Sequence, residues 1–208
     1  MLPFNQFRPA PQPATPADHA RAAEHGQALV EFAAVLLPIL FLIVGIIQFG
    51  LIFGANVTLT NAAREGARAA TIAPYDIASS RSSNDLNRCT DVVDAARQSF
   101  GIMNAAAPNF TVSRPCTAGS AADLNGDGLH DRWVNGDLTV TLCESMATPT
   151  TPCPTSGAYC VDDDPAGCLV QVQLTYHSDI VVPFIGQVLS TDGGGRFVQS
   201  ATATMVLN

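Results

Sequence analysis

The sequence predicts an α+β protein in which a long apolar helix precedes a second helix and an antiparallel β-sheet, stapled by disulfides. Three observations support this fold class. An apolar run with a single charged residue covers residues 29–53, and apolar residues recur at helical spacing within 84–103. Apolar and polar residues alternate in several later segments. A period near 3.6 indicates a helix and strict alternation indicates a strand.

The apolar run is long enough to cross a membrane. Glu31 is its only charged residue, and the charge-free sequence continues to Arg64. A spanning helix needs about 20 apolar residues, and the apolar side chains here favour insertion by roughly 5 to 10 kcal/mol. A cleaved secretory signal is the alternative, but its apolar region is typically about 7 to 15 residues long. We therefore predict a transmembrane helix that continues into the Ala-rich sequence before Pro74.

The chain divides into three predicted parts. Residues 1–26 form a leader whose Pro-rich composition is typical of extended or disordered chain. Residues 27–73 form the transmembrane and extended helix. Residues 74–208 form one small extracytoplasmic α+β domain, which is large enough to have its own core.

The later elements follow from local patterns. After a loop at 75–83, Asn84 or Asp85 can cap the second helix. The buried stripe of that helix is predicted to contain Cys89, Val92, Val93, Ala96, Phe100 and Met103. Alternation predicts strands at 110–112, 138–142, 170–176 and 197–207, with a Gly-rich turn at 192–195 before the last strand.

The cysteines indicate an oxidising compartment. All six follow the apolar run, and an even number on one side of a membrane is typical of disulfides in a periplasm or at a cell surface. They are Cys89, Cys116, Cys143, Cys153, Cys160 and Cys168. Pairing of Cys153 with Cys160 would close the shortest plausible loop. A zinc site is the alternative, but the chain has no C-x2-C pair.

Charge adds little about orientation but excludes one class of partner. The chain has no Lys, and Arg8 and Arg21 before the run balance Arg64 and Arg68 after it. The cysteines therefore decide the orientation, with the N-terminus in the cytoplasm and the C-terminal domain outside. The net charge of -8 argues against a nucleic-acid partner.

The sequence around the start of the apolar run carries a family resemblance. Gly26-Gln27-Ala28-Leu29-Val30-Glu31 resembles a class III prepilin signal, in which a peptidase cuts after the Gly and leaves Glu as fifth residue. The stretches GQALVEFAAVLLPILF and TNAAREGARAA are similar to the TadE-like pseudopilins of the tight-adherence (Tad) pilus apparatus. Major pilins usually begin with Phe, whereas Gln27 would be the first mature residue here.

The resemblance implies a pilin-like fold and a place in the bacterial inner membrane. It also implies a role in assembling or priming a Tad or Flp-type pilus, and thereby in adhesion. The implied partners are a prepilin peptidase, sister pseudopilins or pilins, other Tad membrane components and the lipid bilayer.

Four charged residues are candidates for assembly contacts. A carboxylate at membrane depth is costly, so Glu31 should pair with the new amino group of Gln27 or with a neighbouring copy, unless it is solvated among the headgroups. Arg64, Glu65 and Arg68 follow the span at helical spacing. They form either a solvated face or a contact with lipid phosphate or a sister subunit.

A calcium loop is the only cofactor motif that we identify. Asp123, Asn125, Asp127 and Asp131 occupy positions 1, 3, 5 and 9 of such a loop, with Gly128 at the sixth position. Leu129 would supply its carbonyl oxygen at position 7. Position 12 is Val134, so Asn135 or Asp137 would have to replace the usual acid. The alternative is a plain Asx- and Gly-rich turn.

Other functions compete with a pilus role. A membrane-anchored binding domain could use the calcium loop for adhesion outside any fibre. A hydrolase would need a convergent triad, but His177, Ser178 and Asp179 are adjacent in the chain, and no G-x-S-x-G, Walker or Rossmann pattern occurs. We therefore expect no enzymatic activity.

Overall fold

The computed structural model describes residues 16–101, 103–106, 108–124, 126–128, 130–143, 153, 167–181 and 186–207. Within 16–26 it describes the backbone alone. The fold consists of three helices and one five-stranded sheet in this part of the chain. The helices are α1 (Pro16–Ile72), α2 (Arg81–Gln98) and α3 (Gly186–Leu189). The strands are β1 (Ala121–Ala122), β2 (Arg132–Asn135), β3 (Leu138–Cys143), β4 (Leu169–Asp179) and β5 (Arg196–Val206). These elements confirm the predicted α+β, pilin-like class.

Helix α1 begins earlier than predicted. It starts at Pro16 and continues through Pro38 to Ile72. The expectation of an extended or disordered leader is therefore wrong for residues 16–25. Pro is favoured in the first turn of a helix, and the following Ala-rich sequence has high helix propensity. Residues 1–15 lie outside the described part of the chain.

Two compact units divide the chain at 46/47. The first unit contains the N-terminal part of α1, which is exposed from 27 to 43. The second unit, 47–208, contains the rest of α1 together with α2, α3 and the sheet. The second half of α1 is thus a core element of the C-terminal domain.

The sheet is a simple antiparallel meander. Its order is β1-β2-β3-β4-β5, so every strand pairs with its neighbour in sequence. The longest pairing joins β4 to β5 over eleven residues, from Leu169 opposite Val206 to Asp179 opposite Arg196. Strand β2 was not predicted because its four residues lie in the Asp- and Gly-rich region assigned to the calcium loop. Asn135-Gly136-Asp137 turns β2 into β3, and the positive φ of 60° at Gly136 explains the glycine there.

The core lies between the helices and one face of the sheet. Helix α1 contributes mainly small side chains, and the larger ones come from the strands and from Phe100 and Phe110 in the segment after α2. Gly66 faces this core: an added Cβ would lie 3.2 Å from Val92 Cγ1 on α2 and 3.4 Å from Val172 Cγ1 on β4. Small residues on α1 therefore allow the second helix and the sheet to approach it closely. The predicted stripe is confirmed for Cys89, Val92, Val93 and Ala96, which are buried on α2. Phe100 is buried and Met103 partly buried against the same core, but both follow the end of α2 at Gln98.

The start of α2 differs from the prediction. Ser80 is the N-cap, and its side chain accepts a hydrogen bond from Ser83 N. Asn84 and Asp85, the predicted caps, are buried instead. Asp85 accepts a 2.7 Å hydrogen bond from Arg88, and Arg88 Nε also donates to the carbonyl oxygen of Ala70 in the last turn of α1. Burial raises the pKa of Asp85, against the opposing effect of the two arginines beside it. This buried network joins the end of α1 to α2.

Residues 110–112 do not form the predicted strand. Asp137 accepts a hydrogen bond from Thr111 N at 2.5 Å, and Asn135 accepts one from Ser113 N at 3.0 Å. Arg97 donates to the carbonyl oxygen of Val112. Side chains from other elements therefore satisfy this backbone, and no neighbouring strand is needed. Phe110 is nevertheless in the core, in edge-to-face contact with Phe100 at 4.7 Å between ring centroids.

Two disulfide bonds lie in the described part of the C-terminal domain. Cys89 on α2 pairs with Cys116, with the Cα atoms 6.1 Å apart. Cys143 at the end of β3 pairs with Cys153, with the Cα atoms 5.9 Å apart. The expected pairing of Cys153 with Cys160 is therefore wrong, because the end of β3 brings Cys143 to Cys153. Cys168 is also disulfide-bonded, and Cys160 lies outside the described residues.

Candidate assembly interface

The predicted processing site lies within α1. Gly26 and Gln27 are both helical, and the Gln27 side chain is exposed. Gln27 Nε2 donates a 3.0 Å hydrogen bond to Glu31 Oε1, four residues later. The first residue after the predicted cut and the predicted fifth residue therefore share one face of the helix. A new amino group at Gln27 would form within a helical turn of this carboxylate.

The apolar side chains after Glu31 are exposed. Phe32 is 62% exposed, Val35 61% and Leu42 62%. In the described part of the chain, α1 is the one helix long and apolar enough to cross a membrane, and almost none of its most apolar window is buried. An apolar surface of this size requires an apolar environment, since soluble proteins rarely expose one. These features suggest a single-pass membrane anchor.

The predicted assembly residues after the span form an exposed face of α1. Arg64, Glu65 and Arg68 are exposed, as is Asn61, while the intervening residues on the opposite face pack into the core. Arg68 Nη1 lies 3.9 Å from Glu65 Oε2, in an ion pair whose side chains are 69% and 52% exposed. Such a surface pair typically contributes less than about 1 kcal/mol to stability. The arrangement leaves these charges accessible to a lipid headgroup or another subunit.

Gln48 is a positioned residue that sequence reasoning missed. It lies within the apolar run but is only 3% exposed. Its Nε2 donates to the carbonyl oxygen of Asp179 at 3.2 Å, and its Oε1 accepts from Val181 N at 2.8 Å. An isolated Gln in an apolar run is the only sequence signal, and it does not identify partners more than 130 residues away.

The first residue of the candidate calcium loop, Asp123, forms hydrogen bonds with the backbone of the loop itself. Asp123 accepts hydrogen bonds from Gly126 N at 2.6 Å and from Gly128 N at 2.9 Å. Asp131 is fully buried and accepts from Leu124 N at 2.8 Å. Asn125 and Leu129 lie outside the described residues. Among the residues that the structure does describe, no group of three or more acidic, His or Cys side chains is arranged to hold a metal.

The two residues considered for position 12 are engaged elsewhere. The Asn135 side chain forms hydrogen bonds with both backbone groups of Ser113. Asp137 contacts Thr111 N and the His177 ring. Both side chains thus have other partners in this structure, and the calcium site stays a prediction.

The adjacent His, Ser and Asp on β4 do not form a triad. The His177 ring lies between Asp137 and Asp192, with both nitrogen-to-oxygen distances 3.3 Å. Ser178 points away from it and donates to Gln199 Oε1 at 2.6 Å. The pKa of Asp192 is lowered to about 2, chiefly because the backbone N–H of Arg196 donates to its carboxylate. These contacts connect the β2–β3 turn and the 192–195 turn to β4.

The fold and this site describe a helix-anchored α+β protein of pilin-like architecture. A family model described as TadE-like protein matches residues 26–68. The match begins at the predicted processing residue and ends at Arg68, so it confirms the resemblance over this segment. No curated protein and no solved structure matches the chain.

Proposed function

We propose that this protein is a TadE-like pseudopilin, a single-pass protein of the bacterial inner membrane that acts in assembling or priming a Tad or Flp-type pilus. The family match over residues 26–68 is the observation that supports this most directly. TadE-like proteins are structural rather than enzymatic, so we propose no catalytic role. The C-terminal domain would face the periplasm or the cell exterior.

The proposed mechanism begins with cleavage after Gly26 by a prepilin peptidase. The apolar run starts at Leu29, so the cut would occur at the cytoplasmic membrane surface, where a peptidase can reach it. The amino group released on Gln27 would then pair with Glu31 of the same chain or of a neighbour. Either pair offsets the cost of a carboxylate at membrane depth, and a pair between neighbouring chains also sets the axial register between subunits.

Processing and assembly should be separable by mutation. Gly26→Ala should block cleavage, because the site admits Gly by family resemblance, while the protein still inserts into the membrane. Gly45→Ala is the matched control: it adds the same methyl group where no atom lies within 4 Å. Immunoblots for the size shift and N-terminal sequencing would report cleavage. A mature protein that keeps residues 1–26 in the wild type would exclude this mechanism and favour an anchored binding domain.

Glu31→Ala should allow cleavage but weaken association with sister pseudopilins or pilins. The Glu31→Gln variant keeps the size and an acceptor for Gln27 Nε2 but removes the charge, so it should resemble Glu31→Ala if the ion pair sets the register. Crosslinking followed by pull-down from extracted membranes would measure association. Assembly that is unchanged in both variants would contradict the role of Glu31.

A further inference from the structure

The end of β4 is fixed to α1 at Gln48. This side chain donates a hydrogen bond to the carbonyl oxygen of Asp179 and accepts one from the N–H of Val181. On the neighbouring strand, Gln199 Nε2 donates to the carbonyl oxygen of Ile52 at 2.9 Å. These long-range contacts fix the position of the β4–β5 end of the sheet along the helix.

The depth of Gln48 in the membrane can be estimated from the thickness of a bilayer. The hydrocarbon core is about 30 Å thick, and a helix rises about 1.5 Å per residue, so about 20 residues cross it. Counted from Leu29, the first residue of the apolar run, the outer boundary falls near Gln48. A tilted helix needs more residues to cross, which would place Gln48 deeper. Val181 N, bonded to this side chain, therefore lies at or inside the outer boundary when α1 spans the membrane.

Three side chains near the outer boundary of the hydrocarbon core are apolar and exposed. Val181 is 71% exposed, Phe49 71% and Phe53 64%. The sequence from 180 to 191 contains no charged residue. Charged side chains are costly inside a bilayer, and α1 carries none between Glu31 and Arg64. The last residue of β4, Asp179, is charged, and its carboxylate accepts a 3.1 Å hydrogen bond from Asn109.

We propose that the C-terminal domain contacts the outer leaflet of the bilayer through a membrane-facing surface formed by Phe49, Phe53 and Val181. The inference rests on the proposed membrane insertion of α1. Continuity of this surface with the transmembrane run identifies lipid as its occupant. The span then ends near Gln48.

Tryptophan quenching by brominated phosphatidylcholine tests the proposal. The full chain carries one native Trp, Trp133, which is 1% exposed and provides a constant background. Three variants at exposed positions would be reconstituted separately into vesicles: Phe41→Trp in the span, Val181→Trp in the membrane-facing surface, and Ile77→Trp as control. Ile77 is 92% exposed and follows the far end of α1.

Lipid contact predicts strong quenching for Phe41→Trp and at least half as much for Val181→Trp. Ile77→Trp should not differ from the background. If Phe41→Trp is quenched but Val181→Trp behaves like Ile77→Trp, the proposal is wrong and membrane anchoring stands. A blue-shifted but unquenched Val181→Trp would identify a second protein copy as the occupant and would also overturn it. If Phe41→Trp is unquenched, insertion fails and this proposal fails with it.

Discussion

Gly66 shows how one residue sets the distance between α1 and the rest of the domain. Gly costs about 1 kcal/mol relative to Ala in a helix, yet here it allows Val92 and Val172 to pack against the helix backbone. Gly66→Leu should therefore overpack the core and destabilise the domain by about 1 to 3 kcal/mol. Thermal unfolding of the full chain in detergent, followed by circular dichroism, should show a melting temperature lower by several degrees.

The matched control is Gly54→Leu on the same helix, where an added Cβ meets no atom within 4 Å. This variant should melt at or above the temperature of the wild type, because the added Cβ meets no packed atom and the helix loses the cost of a glycine. Equal melting temperatures for the two variants would show that Gly66 does not set the packing distance.

The loop from Asp123 to Asp131 makes the most specific prediction at the scale of an element. If it binds calcium with the weak affinity typical of extracellular modules, 10 mM calcium should stabilise the domain by about 1.4 to 2.7 kcal/mol. Asp127→Asn should abolish this shift, since it removes a charged ligand without changing size. Calorimetry in calcium, and in magnesium at equal ionic strength, would measure the effect.

Asp91→Asn is the control for that experiment, because Asp91 is exposed on α2 and lies outside the loop. It should keep the calcium response of the wild type. A wild-type protein whose melting temperature does not respond to calcium would leave the loop as a turn closed by Asp123.

The elements that the sequence predicted well are those with long, regular patterns. Helix α1 follows from one long apolar run, and strands β3, β4 and β5 each alternate over many residues. The pattern at 110–112 also alternates, but Arg97, Asn135 and Asp137 bind its backbone, and such distant side-chain partners leave no local signal. Strand β2 was not predicted because its four residues lie in the region assigned to the calcium loop.

The candidate site was predicted unevenly for a similar reason. Gly26, Gln27 and Glu31 belong to a contiguous motif, so a family resemblance can propose them from the sequence. Gln48 acquires its role only when β4 ends beside it, which no local pattern encodes. Pairing of Cys143 with Cys153 likewise depends on where β3 ends.

The whole molecule should be oriented with its C-terminal domain in an oxidising compartment. Five of the six cysteines are seen to be disulfide-bonded, and a typical bridge stabilises a domain by about 2 to 4 kcal/mol. We expect all six to be oxidised in the native protein. Cells would be quenched in acid and alkylated in denaturant, and the labelled thiols counted by mass spectrometry. Alkylation before reduction should label no thiol, and alkylation after reduction should label six.

Protease treatment of spheroplasts measures the orientation independently of the thiols. The C-terminal domain should become accessible to added protease, while an N-terminal tag on the uncleaved Gly26→Ala variant remains protected until the membrane is lysed. A cytoplasmic protein serves as the control for intact spheroplasts. More than one free thiol before reduction would contradict full oxidation. A C-terminal domain protected until lysis would reverse the orientation, because disulfides rarely persist in a reducing cytoplasm.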